Sequence, residues 1–421
     1  MNLNELFKTV YSGEGVPTII NLEADVDLSG EDWKPIDAMW IIFNGNGHTI
    51  SNLTASGMDA AGRRSGFWAY AGGVVINDLT LENVTVNGSQ AGIFAGSTDG
   101  TRINNCFLKG NNVVNFVAGV EEWNGIGAIC GIASTPAINV TVVEGATVTL
   151  NRGDMVTAFG CTYIDNLTGH LGTNSGTITN NGTVTATGSI TYAVSNAAEL
   201  EAAVKSGATD IFLNDGEYNV DNCGGKTLTI SGSKNAVINV DVPVNNYPDY
   251  GFDGATVVFN GVTIKTNNQT YSGYSNLNAT FNNCVIENSI TLYGESTFNN
   301  CVFNVSGDQY NIWTWAAPVV TLNDCTFNSD GKAILMYGGA NTKMTVNKCI
   351  FNDTGVLPDL KAAIEVGDGM GAKYELNINN TVVNGYEFND KGIATNSKLW
   401  GNKNAMPTDA LNVVIDGVEV Y

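Results

Sequence analysis

The chain is short of charge, and shortest of positive charge. Charged residues are 14% of its 421, against about 25% in an average globular domain. Only 19 Lys and Arg face 41 Asp and Glu, giving a net charge of −22. Nucleic-acid binding rests on Lys and Arg that displace counterions from phosphates, so this composition argues against it, and against docking on an anionic membrane. Histidine is nearly absent: His48 and His170 stand alone. No Cys-x-x-Cys pair occurs, so no zinc site is expected, and no other metal or cofactor. No apolar run approaches the roughly 18 residues of a membrane-spanning helix. The opening MNLNELFKTV has neither the basic nor the apolar segment of a secretion signal. The acidity itself favours solubility, which matters where strand edges invite aggregation.

What is abundant is glycine, at 49 residues, with Asn and Thr, and 43% hydrophobic residues. That is a chain of strands and turns, not of long helices. A repeat is visible in the second half. FNNCVI (281–286), FNNCVF (298–303), LNDCTF (322–327) and VNKCIF (346–351) share one pattern, with degenerate copies FNGVTI (259–264) and INNTVV (378–383). Between the cysteines at 284, 301, 325 and 349 the steps are 17, 24 and 24 residues. Such steps suit a solenoid of short parallel strands stacked about 4.8 Å apart. Phe281, Phe298, Leu322 and Val346 then point inward on successive coils, as do Cys284, Cys301, Cys325 and Cys349. The Asn residues sit where the chain turns and bond along the stack. The cysteines read as a ladder of buried free thiols, since free Cys packs as a small hydrophobe. The fold expected is all-β: a right-handed parallel β-helix.

The first half repeats differently, as GFWAYAGGVVINDLTLENVTV (66–86), GIFAGSTDGTRINNCFLKGNNVV (92–114) and weaker copies. Together with DVDLSGEDWKPI (25–36) and FNGNGHTISNLT (43–54), these units resemble the GLUG-type repeat of bacterial surface and adhesin-like proteins, over roughly residues 19–190. The second half resembles the pectate-lyase-like β-helix superfamily in general form. Two segments look like starts. NELFKTVYSGEG (4–15) and NAAELEAAVKSG (196–207) each read as a short amphipathic helix ahead of a first strand, with Asn196 and Glu199 as a capping pair. Two caps imply two tandem halves, 1–190 and 191–421.

The resemblance to the pectate-lyase-like superfamily implies carboxylates with a Lys or Arg on one face, or paired Asp and Gly-His-Gly motifs in its hydrolases. Neither set is found. If the chain is an enzyme, Asp308, Glu365 and Asp368 are the candidates, with solvated charges as the plainer reading. Glu121 and Glu122 beside Trp123 form a similar acidic spot, and the RGD at 152–154 reads as a chance turn. The sharper signal is aromatic. ITLYG (290–294), IWTWA (312–316) and ILMYG (334–338) align, placing Tyr293, Trp315 and Tyr337 in one column with Trp313 beside it. Tyr271, Tyr274 and Tyr310 lie in the connecting loops, with Tyr247 and Tyr250. Rings in a column can seat the apolar faces of sugars, or simply stabilise the sheet.

The expectation is a non-enzymatic structural or adhesive surface protein that holds a glycan or a partner: a phage virion protein (tail spike, fibre or capsid decoration) or a bacterial cell-surface adhesin. A phage spike would be a homotrimer. A polysaccharide lyase or glycoside hydrolase is the alternative, and a ligand-free scaffold a further one.

Overall fold

The computed structural model describes residues 16–55, 63–118, 124–158, 166–171, 174–220, 223–240, 251–267, 271–355, 362–367, 370–386 and 398–421. The chain forms two compact units, Met1–Tyr192 and Ala193–Tyr421. Both are built from short parallel strands, stacked circuit on circuit in the manner of an all-β solenoid.

In the first unit, Thr18–Asn21 pairs with Ile41–Asn44, which pairs with Val75–Asn77, then Arg102–Lys109, then Ala137–Val142, all parallel. A second stack runs Asp37–Met39, Trp68–Gly72, Ala95–Asp99, Cys130–Ser134 and Thr168–Leu171. Alternate residues point inward, as the two-residue period of a strand requires. The core is aromatic at one level: Trp33 stacks on Phe67 at 5.3 Å, and Phe43 meets Phe67 and Trp68 edge-on.

The second unit has three faces. The first carries strands from Asp210–Leu213 to Leu411–Ile415, the second from Gly216–Asn219 to Val382–Asn384. The third is shorter: Ile290–Leu292, Ile312–Thr314, Ile334–Met336, Ile364–Val366 and Trp400–Asn402. The repeat obeys one local chemistry. Asn282, Asn299, Asn323, Asn347 and Asn379 each donate a side-chain hydrogen bond to the Asn one circuit before, at 2.8–3.0 Å. The next residue turns the chain with φ of 49–54°, at Asn283, Asn300, Asp324, Lys348 and Asn380. Asn and Asp tolerate that left-handed conformation.

The thiols follow that turn. Cys284, Cys301, Cys325 and Cys349 are buried and free. Each donates to the carbonyl two residues back, as Cys301 does to Asn299 at 3.5 Å. Thr381 makes the same bond to Asn379 with its hydroxyl. Phe281 lies flat between Phe259 and Phe298, at 5.0 and 4.5 Å. A parallel stack joins Phe303, Phe327 and Phe351.

Among the described residues there is one helix, Ala197–Lys205. The Asn196 side chain accepts from Glu199 N at 3.0 Å, and Glu199 accepts from Ser195 N at 2.7 Å. Its apolar stripe, Leu200, Ala203 and Val204, is buried. The helix expected at 4–15 lies outside the described residues. Among the described residues no helix is long and apolar enough to cross a membrane.

Candidate functional site

The third face of the second unit carries the site. Its strands are three residues long and in register, so their middle residues form one outward column: Thr291, Trp313, Leu335, Glu365 and Gly401. The residues just after the registered ends Leu292, Thr314, Met336, Val366 and Asn402 form a second column. These are Tyr293, Trp315, Tyr337, Gly367 and Lys403. A column with three aromatic residues therefore lies beside one that holds Trp313, at the spacing of stacked strands.

The rings form a connected group. Tyr271 lies 5.0 Å from Trp313 at a 30° tilt and 5.1 Å from Trp315, edge to face. Trp313 meets Trp315 at 5.7 Å and Tyr337 at 6.2 Å. Two hydrogen bonds fix the group: Trp313 Nε1 donates to Tyr337 O at 2.7 Å, and Tyr293 OH to Tyr271 O at 3.3 Å. Tyr271 is 38% exposed and holds a left-handed φ of 67°. Trp313, Trp315, Tyr293 and Tyr337 are half-buried. Burial pushes the Tyr293 phenol well above its ordinary range.

The group ends in a charged cluster. Glu365 is only 6% exposed. Its carboxylate accepts from Tyr310 OH and lies 3.8 Å from Lys403 Nζ. Lys403 also donates to the Tyr310 oxygen at 3.3 Å. Lys332 is ion-paired with Asp308. Both ammoniums lie near the Tyr310 ring, 5.4 Å for Lys332 and 5.7 Å for Lys403 from its centroid. A buried carboxylate is stable only when it is paired and hydrogen-bonded, and here the phenol and ammonium supply both. Burial, then the Glu365 and Asp308 charges, push the Tyr310 phenol far up, so it keeps its proton. Gly367 adjoins this end: a side chain there would come within 3.1 Å of the Tyr337 ring and 3.6 Å of Lys403.

Of the residues picked out in the sequence, Tyr271, Tyr293, Trp313, Trp315 and Tyr337 come together, and Tyr310 and Glu365 meet at the polar end. Asp308 reaches that end through Lys332. Glu365 is not a solvated loop charge but a buried strand residue. Tyr274 leaves the group. It is 7% exposed and meets Phe252 edge-on at 5.3 Å, inside the core. The cause is the tight passage at Gly273, where a Cβ would sit 2.2 Å from Thr291 O, so the chain turns inward after Tyr271. Asp368, Tyr247, Tyr250, Glu121, Glu122 and Trp123 lie outside the described residues.

His48, in the first unit, bonds Asp25 at 3.2 Å. Among the described residues no three His, Cys, Asp or Glu are grouped to hold a metal. Lys332 and Lys403 were not singled out by sequence. A signal existed for Lys403: carrying the aligned column two circuits past Tyr337 leads through Gly367 to it. No family model matches the sequence, and a search of curated proteins finds no match.

Proposed function

We propose that the chain is a non-enzymatic structural or adhesive protein that holds a glycan on the aromatic face of its second unit. The observation that carries this reading is the ring group Tyr271–Trp313–Trp315–Tyr337 on the outward side of a short parallel sheet. Flat rings offer apolar surface to the C–H faces of pyranoses. Asp308 and Lys403, at the end of the group, supply an acceptor and a donor for sugar hydroxyls. The opposite charges there compensate, two carboxylates against two ammoniums, which suits a neutral sugar better than an acidic one.

The fold that goes with this reading is a right-handed β-helix in two tandem halves, each begun by a capping helix. The resemblance to GLUG-type and pectate-lyase-like repeats supports it. The setting it suits is a surface, whether a bacterial cell or a phage virion, with a homotrimer in the second case.

The polar end also keeps a lyase or hydrolase in view, because a phenol, a carboxylate and an ammonium lie within bonding reach. Against it, the phenol is held protonated and the Glu365 carboxylate is already engaged. One experiment addresses both. The protein is passed over immobilised bacterial and plant polysaccharides, and the eluted chains are sized. Retention without shortening is expected, with retention lost in Trp313→Ala/Trp315→Ala. Retention unchanged in that variant would remove the site. Shortened chains would establish the enzyme instead.

A further inference from the structure

We propose that the first unit carries a separate, smaller sugar-binding site centred on Trp40 and Tyr70. Its starting point is a turn repeated on four circuits. After the strands Asp37–Met39, Trp68–Gly72, Ala95–Asp99 and Cys130–Ser134, the chain passes through a left-handed residue: Trp40 (φ 55°), Gly73 (58°), Gly100 (60°) and Thr135 (44°). The turns are stitched alike, with Trp40 N, Gly73 N and Gly100 N bonding Gly72 O, Asp99 O and Ser134 O at 2.8–3.0 Å. Glycine adopts this conformation freely, and two circuits use it. A bulky side chain there is strained. Trp40 is also 52% exposed, so little core burial offsets the strain.

What the strained position achieves is a flat ring on a bare floor. A Cβ at Gly73 would lie 3.2 Å from Cε3 and Cζ3 of Trp40, so the six-membered half of the indole rests on that glycine. A Cβ at Gly72 would lie 2.8 Å from Cε1 of Tyr70, so the Tyr70 ring covers the neighbouring glycine. Two rings thus lie over two consecutive glycines.

The rim is polar and of both signs. The Arg64 guanidinium lies over the Tyr70 ring, 5.0 Å from its centroid, and 3.4 Å from Asp37, whose side chain is half exposed. Asp37 is the registered partner of Tyr70, and Asp99 of Gly72. Thr135 donates to Asp99 at 3.4 Å. Exposed carboxylates, a hydroxyl and the guanidinium seated over Tyr70 surround the half-exposed Trp40 indole and match the alternating C–H and O–H surface of a pyranose. The apolar surface is one indole wide, far below the roughly 800 Å² per partner of a stable protein interface. The occupant is therefore a single sugar residue of a neutral glycan.

The test uses the intact chain labelled with 5-fluorotryptophan and read by ¹⁹F NMR. The chain has seven Trp residues, so the lines of Trp40, Trp313 and Trp315 can each be assigned by substitution with Phe. The probes are oligosaccharides of glucose, galactose, mannose and N-acetylglucosamine. A saturable shift of the Trp40 line is expected with at least one. Gly73→Ala and, separately, Tyr70→Ala should weaken that titration about tenfold, the loss expected of one displaced ring, while the other lines stay in place. If Trp313 and Trp315 respond and Trp40 does not, this site is overturned and the proposed function stands. If Trp40 alone responds, this site stands and the second-unit assignment falls. Silence of all three lines overturns both.

Discussion

The two units use the same alternation of inward and outward residues and pack their sheets differently. On the first unit's strands Trp68–Gly72, Ala95–Asp99 and Cys130–Ser134, the second residue in register is Ala69, Gly96 and Gly131. These glycines are pressed against neighbouring backbone. A Cβ on Gly96 would lie 2.6 Å from Gln90 O and Ser65 N, and one on Gly131 2.4 Å from Gly125 O. There backbone packs against the inward side of the sheet, while the outward positions are Tyr70, Ser97 and Ile132. On the second unit's third face the outward positions are Trp313, Leu335 and Glu365, and the covering is made by side chains. Small inward residues let backbone fill the interior, whereas large outward side chains cover a sheet from outside.

The largest effect should come from the second unit's ring stack. Phe298 is fully buried, 4.5 Å from Phe281 and 4° from parallel with it. Phe298→Ala should cost about 3–5 kcal/mol, the usual penalty for an emptied aromatic site. Phe298→Leu should cost less than about 1.5 kcal/mol, because Leu322 fills the same register position one circuit on. Urea denaturation of the two variants checks this, and equal losses would mean that ring stacking, not volume, holds the column.

Glycine substitutions set the units against each other directly. Gly96→Ala meets backbone on two sides and should destabilise the chain by about 1–3 kcal/mol, as overpacking does. At Gly339 in the second unit, a Cβ meets only the Met370 sulfur at 3.5 Å, so Gly339→Ala should unfold at the same urea concentration as the parent. A matched loss at both positions would dissolve the distinction between the two kinds of packing.

Thiol chemistry should not distinguish the units. Burial pushes Cys106 and Cys130, in the first unit, up to about 12. The second-unit ladder is buried as well. A reagent must reach the sulfur, and all seven described cysteines are buried, so none should react with a disulfide reagent until the chain is unfolded. Rapid labelling of any one in the native protein would mark a local opening.

How much of this was legible in the sequence depends on what kept residues in register. The Cys and Asn ladders were, because each circuit repeats the same strand–turn–strand step and so returns the same residue to the same place. The aromatic column was, because ITLYG, IWTWA and ILMYG carry their own alignment. The polar end was not. Tyr310 meets Glu365 across 55 residues and Lys403 across 93, and the connecting segments between circuits vary in length, so no fixed spacing pairs them. Tyr274 misled for a related reason: a loop residue's direction is set by the glycine that lets the loop pass, not by its neighbours' pattern. Trp40 was hidden because nothing in WIIFNGNG marks the residue before Ile41 as a left-handed turn position.

The smallest contrast is one of pH. In the first unit, hydrogen bonds from Thr49 N and the His48 side chain hold Asp25 below the usual carboxylate range, and the Asn52 side chain and Ser29 N do the same for Asp27. A depressed folded-state value contributes stability that is present above the unfolded value of about 3.9 and is lost as pH falls through the folded one. Asp253 in the second unit goes the other way, raised by burial despite the bond from Ser275 N at 2.7 Å. Its ionised form is disfavoured in the fold, so at neutral pH it destabilises. That penalty eases as pH drops through its raised value and is gone below the unfolded one. Asp253→Asn keeps an oxygen to accept from Ser275 N and should therefore raise the urea midpoint at pH 7, with the gain vanishing by about pH 3. Asp27→Asn should lower the midpoint at pH 7, and that loss should shrink only as pH falls through the depressed folded-state value. Midpoints measured across this range for the two variants should diverge in opposite directions from the parent as pH rises, and a gain for Asp253→Asn that persists in acid would trace its effect to packing rather than to charge.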